Sequence, residues 1–142
     1  MKNAGEKAAR IIKNGDIEGL EIENLKMVML YGSRARGNYS DDSDLDLAFL
    51  FADEALRREN SLKLRIRLAG KIEKLLQIET DVVILNESPP LLKYQIIKYG
   101  RVIYTASDFS YSSYYAKTIK EYFDYKHLRK IHDEQLFNRL SD

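Results

Sequence analysis

Asp44 and Asp46 stand two residues apart where the chain enters an apolar run, Leu45–Phe51. Alternate residues of a strand point to one face, roughly 6.5–7 Å apart along it. The run therefore predicts a strand at 45–51 with both carboxylates projecting together. Ionised carboxylates that close repel, and an apolar strand is a costly place to keep them. A divalent cation answers both difficulties, and oxygen ligands combined with phosphates are the preference of Mg²⁺.

What precedes the aspartates fits a phosphate. Residues 26–31 form a second short apolar run, stopped by Gly32-Ser33, which reads as a buried strand. A glycine there lets the backbone turn sharply and approach a ligand closely. Amides of such a turn and the serine hydroxyl can donate to phosphate oxygens. Arg34 and Arg36 place positive charge beside it. Residues 34–43 are polar and turn-rich, a loop with room for one helical turn. Asp41 and Asp42 within it read as solvated. A third carboxylate, Asp81, opens another β-branched run at 80–85. If that run lies beside the second strand, Asp81 joins the same cluster, and three carboxylates with a triphosphate can hold two metal ions about 3.5–4 Å apart.

The remaining elements follow from periodicity and punctuation. Residues 6–14 predict a short helix ending at Gly15. Residues 60–78 predict an amphipathic helix with Leu62, Ile66, Ala69, Ile72, Leu75 and Leu76 on its apolar face. Pro89-Pro90 opens a helix that runs to Tyr99 and stops at Gly100. Arg101–Tyr104 is a short fourth strand, and 108–140 favours helix. There Tyr111, Tyr115, Ile119, Tyr122 and Phe123 share a side. The helix's tyrosines, with Tyr114 and Tyr125, are expected mainly to pack it, with part left as a partner surface. His127 and His132 fall in its charged end and read as solvated. The order of elements implies an α+β (α/β) fold, a small mixed sheet with helices on its face and a C-terminal helix. No repeat or linker divides it. A single unit over 1–142 is expected, with a core at about 20–105 and the final helix at about 108–140.

Composition narrows the function. The chain has 142 residues, long enough for a real core. It has no cysteine, which excludes disulfides, thiolate metal sites and cysteine nucleophiles. Lys+Arg number 23 against 22 Asp+Glu, a formal charge of +1, which argues against direct nucleic-acid binding as the main work. No signal peptide is evident at the start, and the longest apolar run, Leu47–Ala52, is far below the ~20 residues that span a bilayer. A cytoplasmic location and no membrane contact are expected.

Gly32-Ser33, ten residues, then Asp44-Leu45-Asp46 resembles the G-S-x10-D-x-D signature of the DNA polymerase β-like nucleotidyltransferases. The fuller pattern GSRARG…SDLDL is similar to that of the minimal nucleotidyltransferases. More narrowly it resembles the MntA-type antitoxins paired with HEPN-domain toxins, whose tail also shows Pro-Pro, a helix and a Tyr-Gly-Arg-Val-Ile-Tyr segment. The resemblance covers most of the chain. It implies the polymerase β-like fold, with Gly32 and Ser33 holding the triphosphate and Arg36 as a phosphate contact. It implies Mg²⁺ on Asp44 and Asp46, with Asp81 completing a two-ion site and helping to deprotonate the acceptor. The implied reaction moves AMP from ATP to a hydroxyl, with a tyrosine of a cognate HEPN toxin as acceptor and partner. A non-catalytic, toxin-sequestering antitoxin and an aminoglycoside-type nucleotidyltransferase are the alternatives. The chain is too short for the added domains that hold nucleic acid or antibiotic in larger relatives.

Overall fold

The structure is a computed structural model that describes residues 3–57 and 60–141; residues 1, 2, 58, 59 and 142 of the expected unit lie outside the described residues. In chain order the elements are α1 (Ala4–Lys13), β1 (Leu25–Tyr31), α2 (Ser33–Arg36), β2 (Leu45–Phe51), α3 (Ser61–Leu76), β3 (Thr80–Ile84), α4 (Pro90–Tyr99), β4 (Arg101–Thr105) and α5 (Tyr111–Ser141), with short 3₁₀ turns between some of them. The sheet runs β3-β2-β1-β4. β1 pairs antiparallel with both β2 and β4, while β2 and β3 are parallel. A parallel pair needs a crossover connection, and α3 lies within the one that joins β2 to β3.

Side-chain alternation sorts the two faces. Leu45, Leu47, Phe49 and Phe51 of β2 join Leu25, Val28 and Leu30 of β1 and Val82 and Ile84 of β3 in a core covered by α1 and α3. Met27, Met29, Ala48 and Leu50 face the opposite way, onto Ile96 and Ile97 of α4 and the first turns of α5. Helices thus cover both faces of the sheet rather than one.

The buried face of α3 keeps Ile72 and Leu76 of the expected one, with Ala69 packed against the core, but not the rest. Leu64, Leu68, Ile72 and Leu76 are buried at a regular spacing of four. Leu62, Ile66 and Leu75 are exposed. Two apolar stripes run along this helix, and the sheet takes the one whose residues recur every fourth position. The Asn60 side chain caps α3, accepting from the Leu62 and Lys63 amides at 2.8 and 3.4 Å. α1 ends in paired bonds from Gly15 N–H to Ile12 and from Asp16 N–H to Ile11, which satisfy carbonyls the helix leaves open.

Pro90 starts α4, where its missing N–H costs no helical bond. α4 is fixed to the sheet by Ile96 and Ile97 and to α5 by Tyr94, whose ring stacks on Tyr122 at 4.1 Å. Tyr111, Tyr114, Thr118, Ile119 and Tyr122 hold the first half of α5 against the body. From Phe123 to Ser141 every residue is exposed; Phe123 still meets the Tyr94 ring edge-on at 6.3 Å, and beyond it the helix buries no side chain among the described residues. Among the described residues no helix is long and apolar enough to cross a membrane.

Candidate active site

Three strands deliver one polar cluster. In the sheet register Tyr31 of β1 lies opposite Asp46 of β2, and Asp46 lies opposite Asp81 of β3. All three project to the α4 side, because their neighbours Leu30, Leu47 and Val82 project to the other core. Asp44 stands just before β2 and in phase with Asp46. The condition set on Asp81 by the sequence is met: its strand pairs with the strand of the other two.

Gly32 closes this cluster from above. Its φ of 73° and ψ of −158° lie in a region essentially confined to glycine. A Cβ built there would overlap the Asp46 carboxylate. The chain thus leaves β1 by passing its backbone directly over Asp46. Ser33, half-buried, then begins the single turn α2.

The two loop arginines separate in role. Arg36 is exposed and lines a cavity together with Tyr31 and Gly32. Arg34 is buried, with its guanidinium donating to the Ser43 carbonyl from Nε at 3.1 Å and Nη2 at 2.8 Å. Its charge also sits 4.9 Å from the centre of the Tyr39 ring. Arg34 therefore ties the start of the loop to its end, a function that its place in a polar segment did not reveal.

Crowding of like charge shows in the protonation of the site. Burial, then the Asp81 and Asp44 carboxylates, push Asp46 up to about 6. Burial first, then Asp81 and Asp46, drive the Tyr31 phenol far above its ordinary value, against a lowering pull from Arg65. Arg65 reaches the site from α3 by donating to the Val82 carbonyl on β3 at 2.7 Å. Among the described residues no three acidic or histidine side chains are gathered into a closed metal cage. Asp44, Asp46 and Asp81 stand as mutually repelling neighbours, and such repulsion favours spread in the absence of a cation. An all-oxygen, carboxylate donor set of this kind suits Mg²⁺.

Two cavities flank the carboxylates. One, about 290 Å³, lies between the Gly32 turn and α4. The other, about 220 Å³, lies along β3 and includes Arg65, Val83 and Glu87. A larger hollow of about 600 Å³ lies against the outer half of α5, lined by residues such as Tyr125, Arg129 and Phe137, and contains none of the cluster. Leu91 of α4 lines it as well.

Residues 11–109, which contain the whole cluster, match the profile of the family described as "Polymerase beta, Nucleotidyltransferase". The chain belongs to this family. A curated relative, the protein adenylyltransferase MntA of Aphanizomenon flos-aquae (strain 2012/KM1/D3), is 28% identical over 125 residues, covering 84% of this chain and 83% of the relative. Among solved structures, a toxin–antitoxin structure with AMP-PNP superposes with a TM-score of 0.71 at 23% identity, over 93% of this chain and 98% of that one. A structure of a tri-AMPylated Shewanella oneidensis HEPN toxin in complex with MNT antitoxin gives 0.67 at 21% identity, over 96% and 99%. These superpositions include α5, so the nucleotidyltransferase fold of this chain extends beyond the 11–109 match to the long terminal helix.

Proposed function

We propose that this nucleotidyltransferase is a protein adenylyltransferase and antitoxin that moves AMP from ATP to a tyrosine hydroxyl of a cognate HEPN-type toxin. The observation that carries the reading is the line Tyr31–Asp46–Asp81 across three strands, with the Gly32 backbone laid over Asp46. The curated MntA relative and the AMPylated toxin complex support the acceptor class.

Gly32, Ser33 and Arg36 hold the triphosphate: backbone amide, hydroxyl and guanidinium are all donors to anionic oxygen. Asp44, Asp46 and Asp81 would hold Mg²⁺, which when bound supplies charge stabilisation to the phosphates and lowers the pKa of a coordinated hydroxyl. Asp81, exposed on the edge strand, accepts the proton of the acceptor hydroxyl. The hydroxyl oxygen then bonds to the α-phosphorus, the bond from that phosphorus to the bridging oxygen breaks, and pyrophosphate leaves. Tyr31 stays protonated, so its phenol can donate toward Asp81 without adding charge. The exposed apolar residues of outer α5, among them Leu128, Ile131 and Phe137, offer area to a protein partner.

The test is single-turnover transfer of α-labelled ATP to the co-purified HEPN protein, with calorimetric ATP binding alongside. Asp81→Asn should keep ATP binding and slow transfer by at least about 10²–10⁴-fold, the range of general-base assistance. Asp46→Asn should weaken both. Wild-type rates in both variants overturn the assignment. Silencing without transfer would favour the sequestering alternative, and labelling of an aminoglycoside instead of protein the small-molecule one.

A further inference from the structure

We infer that the outer half of α5 pairs antiparallel with the same segment of a second copy of this chain, about a two-fold axis at Ile131. This goes beyond the adenylyltransferase reading and does not depend on it.

The face comes first. Tyr111, Thr118 and Tyr122 mark the stripe by which α5 packs on the body. At spacings of three and four the same stripe runs on through Tyr125 and Arg129 to Asp133, Leu136 and Leu140. Beyond Tyr122 it is exposed, with Phe137 leaving 70% of its surface to solvent and Leu140 78%. The hollow of about 600 Å³ lies along it, from Leu91 of α4 and Tyr122 at one end to Phe137 at the other. Apolar side chains thus occupy both ends of the stripe and charges its middle, in the order basic and then acidic.

The order of charges names the occupant. A face that is basic and then acidic is best covered by its own reverse, which an antiparallel second copy supplies by symmetry. The spacing of the stripe reads the same in both directions from Ile131. In that register Arg129 of each copy meets Asp133 of the other. Tyr125 meets Phe137, Tyr122 meets Leu140, and Leu136 lies along the aliphatic stem of Lys126. The second copy's Phe137 and Leu140 would then enter the hollow beside Tyr125, Tyr122 and Leu91. The paired stretch from Tyr122 to Leu140 is about 27 Å of helix at 1.5 Å per residue. The two bodies sit at its opposite ends, clear of one another. Leu128 and Ile131 fall outside the stripe, so the helix keeps a separate side for a different protein.

The test is sedimentation equilibrium of the full chain. The wild type should pass from monomer to dimer as its concentration rises. Phe137→Ala removes an aromatic contact from both ends and should raise the dimer dissociation constant about tenfold or more. Arg129→Asp and Asp133→Arg should each abolish self-association, because each brings like charges together twice. Both variants also place like charges four residues apart on their own helix, so the deciding measurement is the mixture. Mixed in equal amounts, the two variants make both opposite-charge pairs and should associate within about tenfold of wild type. All three positions are exposed, so the fold should tolerate these changes. A wild type that stays monomeric, a dimer indifferent to Phe137→Ala, or a mixture no more associated than its components overturns the proposal. Amide protection of this stripe that appears only with the co-purified HEPN protein also overturns it, and assigns the stripe to that protein.

Discussion

Arg34 holds the carbonyl of Ser43 with two hydrogen bonds, one residue before Asp44. The turn after Gly32 and the entry to the carboxylate strand are thereby locked to each other across the loop. Arg34→Ala should destabilise the protein by about 1.5–3 kcal/mol, the range for hydrogen bonds to a charged group. Arg34→Lys should rescue little, since an ammonium lacks the planar fork. Urea unfolding measures the first effect. Limited proteolysis should show new cleavage within 37–43 in both variants; an uncut loop would mean that Arg34 does not close it.

Gly32 and Gly37 both have positive φ, 73° and 81°, yet only Gly32 has a neighbour in the way of a side chain. Gly37→Ala should therefore cost only about 1–2 kcal/mol, the penalty of the left-handed region. Gly32→Ala should cost the roughly 1–3 kcal/mol of its rarer conformation and, in addition, displace the Asp46 carboxylate. Equal stabilities and equal ATP affinities for the two variants would contradict the close approach of Gly32 to Asp46.

The signature residues were legible in the sequence because their spacing is local. Gly32, Ser33, Asp44 and Asp46 fall within one stretch, and strand periodicity alone puts the two aspartates on one face. Asp81 was legible only conditionally, since its place depends on which strand β3 chooses to pair with. Arg34 and Arg36 look alike in a polar loop, and burial of one came from a contact that no periodicity encodes. On α3 both apolar stripes satisfy a helical repeat, and the sheet made the choice.

That choice can be measured. Leu68→Ala should lose about 2–5 kcal/mol as a cavity-forming change in a packed core. Ile66→Ala, two residues earlier and 64% exposed, should stay within about 0.5 kcal/mol of wild type. Reversed magnitudes in urea unfolding would return the helix to its other face.

Asp46 gives the metal-free protein a particular pH dependence. In the folded state it holds its proton up to about 6 rather than 3.8, mainly through burial and then through Asp81 and Asp44. The raised value means that this contribution to stability is full below pH 4 and is lost as pH climbs through about 6. Asp46 is only half-buried, so solvent screening reduces the effect to about 1 kcal/mol. Asp46→Asn should lack it. With chelator present, the variant should gain on the wild type across that window and exceed it at pH 7–8. Parallel stability curves from pH 4 to 8 would show that the carboxylates do not strain one another.

Beyond the edge-on contact of Phe123 with Tyr94, the outer half of α5 buries no side chain and rests mainly on its own backbone bonds. Most helical stability in proteins comes from tertiary packing, so amides in this part of α5 should exchange faster than those in its packed first half. Anything that lies along it supplies the missing packing and slows that exchange. The terminus therefore works as an occupancy gauge: exchange rates from Phe123 onward would report whether a companion is seated, without any label on the companion and without waiting for a turnover.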